Sequence, residues 1–238
     1  MVKTGALAIA GDRQEGLAMK QLRDNGLSIV LLLLFALAIV GHGWAGWISE
    51  NEDRMREGLP VLQLASYLAS GAFISSVFEN WESEFLQMGA YVCLTAYLFQ
   101  RGSPESKDPD ATASQDRDPR LDANKPDAPW PVRAGGVARL IYSHSLGLTL
   151  FGLFAASFAL HLAGSAENAA EDARATGEPA PTFLEHLHSA SFWFESFQNW
   201  QSEFLSTALL IVLAIFLRER GSPESKPVGA PHSQTGTD

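Results

Sequence analysis

Apolar residues gather in four long runs separated by stretches rich in charge, proline or glycine. Between Leu27 and Val40 the only polar residue is Ser28, and the apolar character continues to Ile48. The other runs are Trp81–Phe99, Leu140–Ala163 and Trp200–Leu217. A helix needs roughly 20 apolar residues, with about 17 as the short limit, to cross a hydrocarbon core of about 30 Å. The pattern therefore predicts an all-α membrane protein with four transmembrane helices, at about 26–47, 81–100, 140–163 and 200–218. Ahead of the second and fourth runs lie half-apolar segments, 61–79 and 182–198, that carry neither Lys nor Arg. Phe183, Leu187, Ala190, Phe194 and Phe197 recur in one of them at helical spacing, as do Val61, Leu64, Leu68, Ala72 and Phe73 in the other. These predict two amphipathic helices at the outer interface, or a long helix kinked there; a re-entrant pair is the alternative.

The pattern is written twice. Asn80-Trp81-Glu82-Ser83-Glu84-Phe85-Leu86 leads to Arg101-Gly102-Ser103-Pro104-Glu105-Ser106-Lys107. Asn199-Trp200-Gln201-Ser202-Glu203-Phe204-Leu205 leads to Arg220-Gly221-Ser222-Pro223-Glu224-Ser225-Lys226. The offset is 119 residues (80 to 199), and it also pairs Leu27 with Leu146, His42 with His161, Gly58 with Gly177 and Phe73 with Phe192. A tandem duplication changes how every other feature is read. The first apolar run has an internal counterpart at Leu140, so both are read as permanent spans and not as a cleaved leader. Two spans per copy is an even number, which predicts parallel repeats related by a pseudo-two-fold along the membrane normal.

Charge sets the expected orientation. Lys20, Arg23, Arg101, Lys107, Arg133, Arg139, Arg218, Arg220 and Lys226 flank one side of the spans, against Arg54, Arg56 and Arg174 on the other. Positive residues favour the cytoplasmic side, so both termini and the central linker are expected there. Trp44, Trp47, Trp81, Trp193 and Trp200 fall at the outer boundary, where amphipathic rings prefer the headgroup level. The expected organisation is a cytoplasmic segment 1–21, a membrane repeat 22–107, a disordered linker 108–136, a second repeat 137–226 and a disordered tail 227–238. A formal net charge of −10 leaves no basic stripe for nucleic acid, so none is expected as a partner. The one cysteine, Cys93, sits inside a span as a small packing residue. Association of the halves is expected through small residues, including Gly89, Gly147, Gly152, Ala156 and Ala159.

Few residues offer chemistry. Asn80, Trp81, Asn199 and Trp200 read as a helix start, with Asn capping free amides and Trp anchored in headgroups. Glu84 and Glu203 lie three residues inside their Trp, about 4.5 Å deeper, and His42 lies about 7.5 Å inside Trp47, a depth that His161 repeats. His42, His161, Glu84 and Glu203 are thus a candidate polar cluster for a proton or a divalent ion, although no fixed-spacing metal signature is present. Arg101, Gly102 and Pro104, with Arg220, Gly221 and Pro223, end their helices: Gly suits a left-handed turn and Pro cannot continue the helix. The identity of all seven tail residues exceeds what a stop requires and suggests packing against the other repeat or a partner. No nucleophile elbow, phosphate loop or zincin motif occurs, so no enzyme and no cofactor is expected.

The doubled blocks, with Asn25-Gly26-Leu27-Ser28 opening the first span, resemble a bacterial membrane-protein family catalogued as a domain of unknown function. The resemblance covers Leu22 to Lys226 apart from the linker, with one departure, Glu82 against Gln201. It implies a bacterial inner-membrane protein with two related halves and carries no activity or site residue with it. The expected role is a non-catalytic binding or structural component, partnered by the bilayer and by another protein or a second copy. The alternative is a small transporter or channel using the outer His/Glu cluster; a membrane enzyme ranks third.

Overall fold

A computed structural model describes the chain from residue 3 to 236, with side chains from residue 20 onward. Among these residues all regular structure is helical. The chain falls into two compact units that divide between Ala69 and Ser70.

The first unit holds α1 (Lys3–Arg56) and α2 (Leu64–Leu68). Helix α1 begins within the expected cytoplasmic segment 1–21, and it breaks at Asn25, whose backbone (φ −126°, ψ 15°) is not helical. The connector after α1 turns at Gly58, where φ is +74°, a conformation glycine adopts without a Cβ penalty. It is then clamped back on the helix. Asn51 accepts from Leu62 N at 2.6 Å and donates to Leu62 O at 3.0 Å, while Trp47 Nε1 donates to the same carbonyl at 2.7 Å.

The second unit holds α3 (Gly71–Tyr97), α4 (Trp130–Ala134), α5 (Gly136–Ser143), α6 (Ser145–Thr176), α7 (Phe183–Leu187) and α8 (Ala190–Phe216). Helices α3 and α6 pack along one another, and α8 lies against α3. At the α3–α6 crossing two glycines bring the backbones together. A Cβ on Gly164 would lie 2.5 Å from Ser75 N, and one on Gly71 would lie 2.6 Å from Gly164 O. Gly89 and Gly147 make ordinary to tight contacts further along, with Phe151 at 3.4 Å and Cys93 Sγ at 3.2 Å. Gly152 faces open space and Ala156 and Ala159 are exposed, so the expected small-residue interface is corrected to the stripe through Gly71, Gly164, Gly89 and Gly147.

Among the described residues three helical stretches are long and apolar enough to cross a membrane: Lys20–Arg56, Ser145–Thr176 and Ala190–Phe216. Helix α3 is of similar length, and Glu79, Glu82 and Glu84 interrupt its apolar character. Element bounds follow the duplication closely. Leu64–Leu68 and Phe183–Leu187 lie 119 residues apart at both ends, as do Gly71–Tyr97 and Ala190–Phe216. The break at Asn25 recurs at His144 (φ −120°, ψ 10°), and the turn at Gly58 recurs at Gly177 (φ +75°).

Three expectations are corrected here. The Asn-Trp pairs do not start helices: α3 and α8 begin some ten residues earlier, capped by Ser70 on Phe73 N and by Ser189 on Phe192 N. Asn80 and Asn199 therefore lie inside continuous helices, and the half-apolar segments 61–79 and 182–198 divide into a five-residue helix and the first turns of the long one. The linker, expected to be disordered, carries 3-10 turns at Ser114–Asp116 and Pro119–Asp122 and then α4. Alternating charges hold it, with Lys107 2.7 Å from Asp116 and Lys125 2.8 Å from Asp122. The tail also folds back, through Gly236 N to Ser103 O at 3.0 Å and Thr235 Oγ1 accepting from Gly102 N at 2.9 Å.

Candidate functional site

His161 is fully buried midway along α6, and both of its ring nitrogens face carboxylates. Nδ1 lies 2.9 Å from Glu82 Oε2 on α3, and Nε2 lies 3.3 Å from Glu195 Oε2 on α8. With both carboxyls ionised, each contact is a hydrogen bond only if both nitrogens donate, which makes the ring an imidazolium between two carboxylates. Each carboxylate takes a further hydrogen bond. Trp200 Nε1 donates to Glu82 Oε1 at 2.9 Å, and Ser165 Oγ donates to Glu195 Oε2 at 3.0 Å. Ser165 Oγ then accepts from His186 Nε2 of α7 at 2.8 Å, which fixes that ring as the Nε2–H tautomer. Asn199 donates to Glu79 Oε1 and to Glu195 O, drawing a third carboxylate to the rim.

The surroundings explain why a charged group is tolerated. Glu82 and His161 have no exposed side-chain surface, and Phe192, also fully buried, stacks 4.9 Å from the imidazole. Phe158 and Trp193 pack on Phe192 at 5.5 and 5.7 Å. An ion removed from water is costly unless paired and hydrogen-bonded, and this pair is both. Glu195 remains 37% exposed, so the network has one wet end. Burial pushes the His186 imidazole below its ordinary range, in keeping with its role as a neutral donor to Ser165.

Of the expected cluster, only His161 belongs to this network. Glu84 is exposed and Glu203 half-buried on α8, while the carboxylates that reach His161 come from positions 82 and 195. His42 is half-buried on α1, in the other unit. Of the supposed helix-start residues, Trp200 and Asn199 hold the network; Asn80 bonds Ser76 O at 2.8 Å, and Trp81 packs edge-on against Phe78. No group of three or more His, Cys, Asp or Glu among the described residues is arranged to hold a metal ion. Sequence reasoning missed Glu82, Glu195, Glu79, Ser165 and His186. Their counterparts in the other copy are Gln201, Ser76, Gln198, Gly46 and Tyr67, so the network uses positions where the copies differ. The Glu82/Gln201 departure was its one visible trace.

At the opposite ends of α3 and α8 the duplicated tails form the same local turn. Ser106 Oγ accepts from Gln100 N at 2.9 Å, and Ser225 Oγ accepts from Glu219 N at 3.0 Å. The expected helix stop at Arg-Gly-x-Pro is corrected: α3 and α8 already end at Tyr97 and Phe216, with Leu98 and Leu217 extended, and Gly102 and Gly221 (φ +87° and +91°) turn the chain beyond those ends. Pro104 is buried and Pro223 exposed, while Arg101 pairs with Asp110 at 2.7 Å and Arg220 is exposed. The tails also meet. Lys226 Nζ is buried against four carbonyls: Gly102 at 2.6 Å, His232 at 2.9 Å, Gln234 at 3.0 Å and Pro231 at 3.3 Å. Lysine 107 instead reaches Ala96 O and Asp116, with its ammonium 5.6 Å from the Phe99 ring centroid.

No curated protein and no solved structure matches the chain. A family model described as a domain of unknown function, DUF6766, matches residues 18–237, and the chain belongs to that family.

Proposed function

We propose that the protein is a non-catalytic integral component of the bacterial inner membrane, built from two parallel two-span repeats with both termini and the linker in the cytoplasm. The single observation that carries this reading is the buried His161–Glu82 pair, which ties a helix of the first repeat to a helix of the second. Helix α3 serves as the fourth span. Its 27 residues reach about 40 Å at a 1.5 Å rise, and Glu82, the carboxylate deepest in the packing, is matched by His161. The shared bounds of α3 and α8 support the same role for both, and a pseudo-two-fold along the membrane normal follows from the even number of spans. The network then lies near the outer boundary and holds the halves together while its wet end, Glu195, faces the exterior.

Cysteine labelling tests the topology. In a Cys93→Ala background, Glu52→Cys and Glu178→Cys, both exposed positions, should react with an impermeant maleimide in intact, outer-membrane-permeabilised cells. Ser114→Cys should react only after lysis. Labelling of Ser114→Cys in intact cells would reverse the orientation.

One observation favours a second reading as a small proton- or cation-coupled transporter: the unbroken hydrogen-bond chain from His186 through Ser165, Glu195 and His161 to Glu82. Conduction also needs a polar route across the bilayer. Proton flux into liposomes that is abolished by Glu195→Gln would establish transport over a structural role.

A further inference from the structure

A cavity of about 320 Å³ runs between α3 and α8, away from the histidine network. Leu94, Leu98 and Phe99 wall one side of it, and Phe204, Ala208 and Ile211 the other. The lining threonines turn their hydroxyls back onto their own helices, Thr95 to Tyr91 O and Thr207 to Glu203 O, each at 3.0 Å. The walls therefore offer carbon to an occupant. Polar groups collect at the tail end. Tyr91 donates its phenol to Glu105 Oε2 at 3.1 Å, and the Glu224 carboxyl comes within hydrogen-bond reach of Glu105.

That end holds acids without a base. Among the cations of the tails Lys107 pairs with Asp116, Arg101 with Asp110, Lys226 with four carbonyls and Arg218 with carbonyls including Ala230 O at 3.1 Å, while Arg220 is exposed and makes no ion pair with Glu105 or Glu224. Among the described residues no ion pair reaches Glu105 or Glu224. An apolar slot that ends in two uncompensated carboxyl groups is complementary to an amphiphile with a cationic, hydrogen-bond-donating head. We propose that the groove binds an aminophospholipid of the phosphatidylethanolamine type, its acyl chain between α3 and α8 and its primary ammonium on Glu105 and Glu224. A quaternary ammonium carries the same charge without N–H donors, and a glycerol headgroup leaves the phosphate charge unbalanced, so both fit less well. The proposal rests on the membrane-spanning reading above.

The test uses the full chain purified in detergent and titrated with phosphatidylethanolamine, phosphatidylcholine and phosphatidylglycerol of identical acyl chains. Melting temperature and lipid retention in native mass spectrometry are read together. The ethanolamine lipid should bind about tenfold or more tighter than the other two. Glu105→Gln combined with Glu224→Gln should bring all three to within about threefold of one another. Ala208→Trp, which fills the groove, should weaken all three. Equal binding of the three lipids by the wild type, binding of none, or an ethanolamine preference that survives the double substitution would overturn the proposal. The headgroup comparison stands even where Ala208→Trp does not fold. Resistance of the wild type to carbonate extraction from membranes scores the spanning reading separately.

Discussion

The imidazole of His161 and the carboxylate of Glu82, 79 residues apart in sequence, meet at 2.9 Å with neither side chain exposed. Glu82 belongs to the first copy of the duplication and His161 to the second, so this contact joins the copies across the α3–α6 seam. The close backbone approach at Gly71 and Gly164 lies on the same seam. On the membrane-spanning proposal, lipid removes the hydrophobic drive for helix association, and close packing and a satisfied polar bond supply the attraction.

Removing one partner of this pair should cost more than removing both. Glu82→Ala leaves a buried imidazolium facing only the half-exposed Glu195, and loss of one member of a buried pair costs about 3–5 kcal/mol. Glu82→Gln keeps an oxygen for only one of its two partners, Trp200 Nε1 or the ring, and turns an NH2 toward the other, so it should fall between wild type and Glu82→Ala. A double-mutant cycle of Glu82→Gln and His161→Gln, read by thermal melting in detergent, should show a favourable coupling energy. Additive losses would mean that the two side chains do not stabilise each other.

Backbone proximity sets a second expectation. A Cβ on Gly164 would sit 2.5 Å from Ser75 N and 2.9 Å from Gly71 O, both backbone atoms. Gly164→Ala must push α3 and α6 apart, at about 1–3 kcal/mol by analogy with overpacked cores. Gly152→Ala meets nothing within 4 Å and should leave the melting temperature unchanged or slightly raised. A comparable loss in both variants would place the interface elsewhere on α6.

The all-helical character was legible because apolar run length is a property of the sequence itself, and three of the four expected runs fall on helices long and apolar enough to cross a membrane among the described residues. Helix starts were not. Asn80 and Trp81 have the composition of a cap, yet Ser70 makes the cap, because the half-apolar turns ahead of Asn80 continue the helix. The candidate site was legible only in part. Matching residues at equal depth pointed to His42, His161, Glu84 and Glu203, whereas His161 is satisfied by Glu82 and Glu195. Which carboxylate meets a histidine depends on helix rotation and crossing, here set by Gly71 and Gly164, and no repeat comparison contains that. The signal lay in positions where the copies differ, of which the Glu82/Gln201 departure was the one noted.

The short helix α7 gives a third expectation. Thr182 and Glu185 form a capping box: Thr182 Oγ1 accepts from Glu185 N at 3.3 Å, and Glu185 Oε2 accepts from Thr182 N at 2.8 Å. The bond from Thr182 N, and then the 2.7 Å bond that Thr182 Oγ1 donates to Glu185 Oε2, hold the Glu185 carboxyl below its ordinary range. A depressed carboxylate stabilises the fold above its unfolded pKa of about 4.3, and that contribution disappears as pH falls through the folded value. Thr182→Ala should cost about 1 kcal/mol at pH 7 and loosen the seat of His186 against Ser165. Hydrogen exchange at His186 N, which bonds Thr182 O at 2.9 Å, should quicken in that variant and stay slow in wild type.

The tail carboxyls predict the opposite pH dependence. Burial first, and the neighbouring Glu224 second, raise Glu105 above the ordinary carboxylate range. A raised folded pKa means that the native state holds its proton where the unfolded chain has released it. The stabilisation is complete below the unfolded value of about 4.3 and is lost as pH rises through the folded one. Lipid-free protein in a neutral detergent should therefore lose melting temperature as pH rises above about 4.3, over and above the contributions of groups elsewhere. Glu105→Gln keeps an acceptor for Tyr91 and removes the like-charge contact with Glu224, so it should melt higher than wild type at pH 7 and equally at pH 4.5. Glu224→Gln should give the same sign with a smaller shift, because Glu224 is exposed while Glu105 is half-buried. A melting temperature at pH 7 that falls in both variants would show that the carboxyl pair supports the meeting of the tails and does not oppose it.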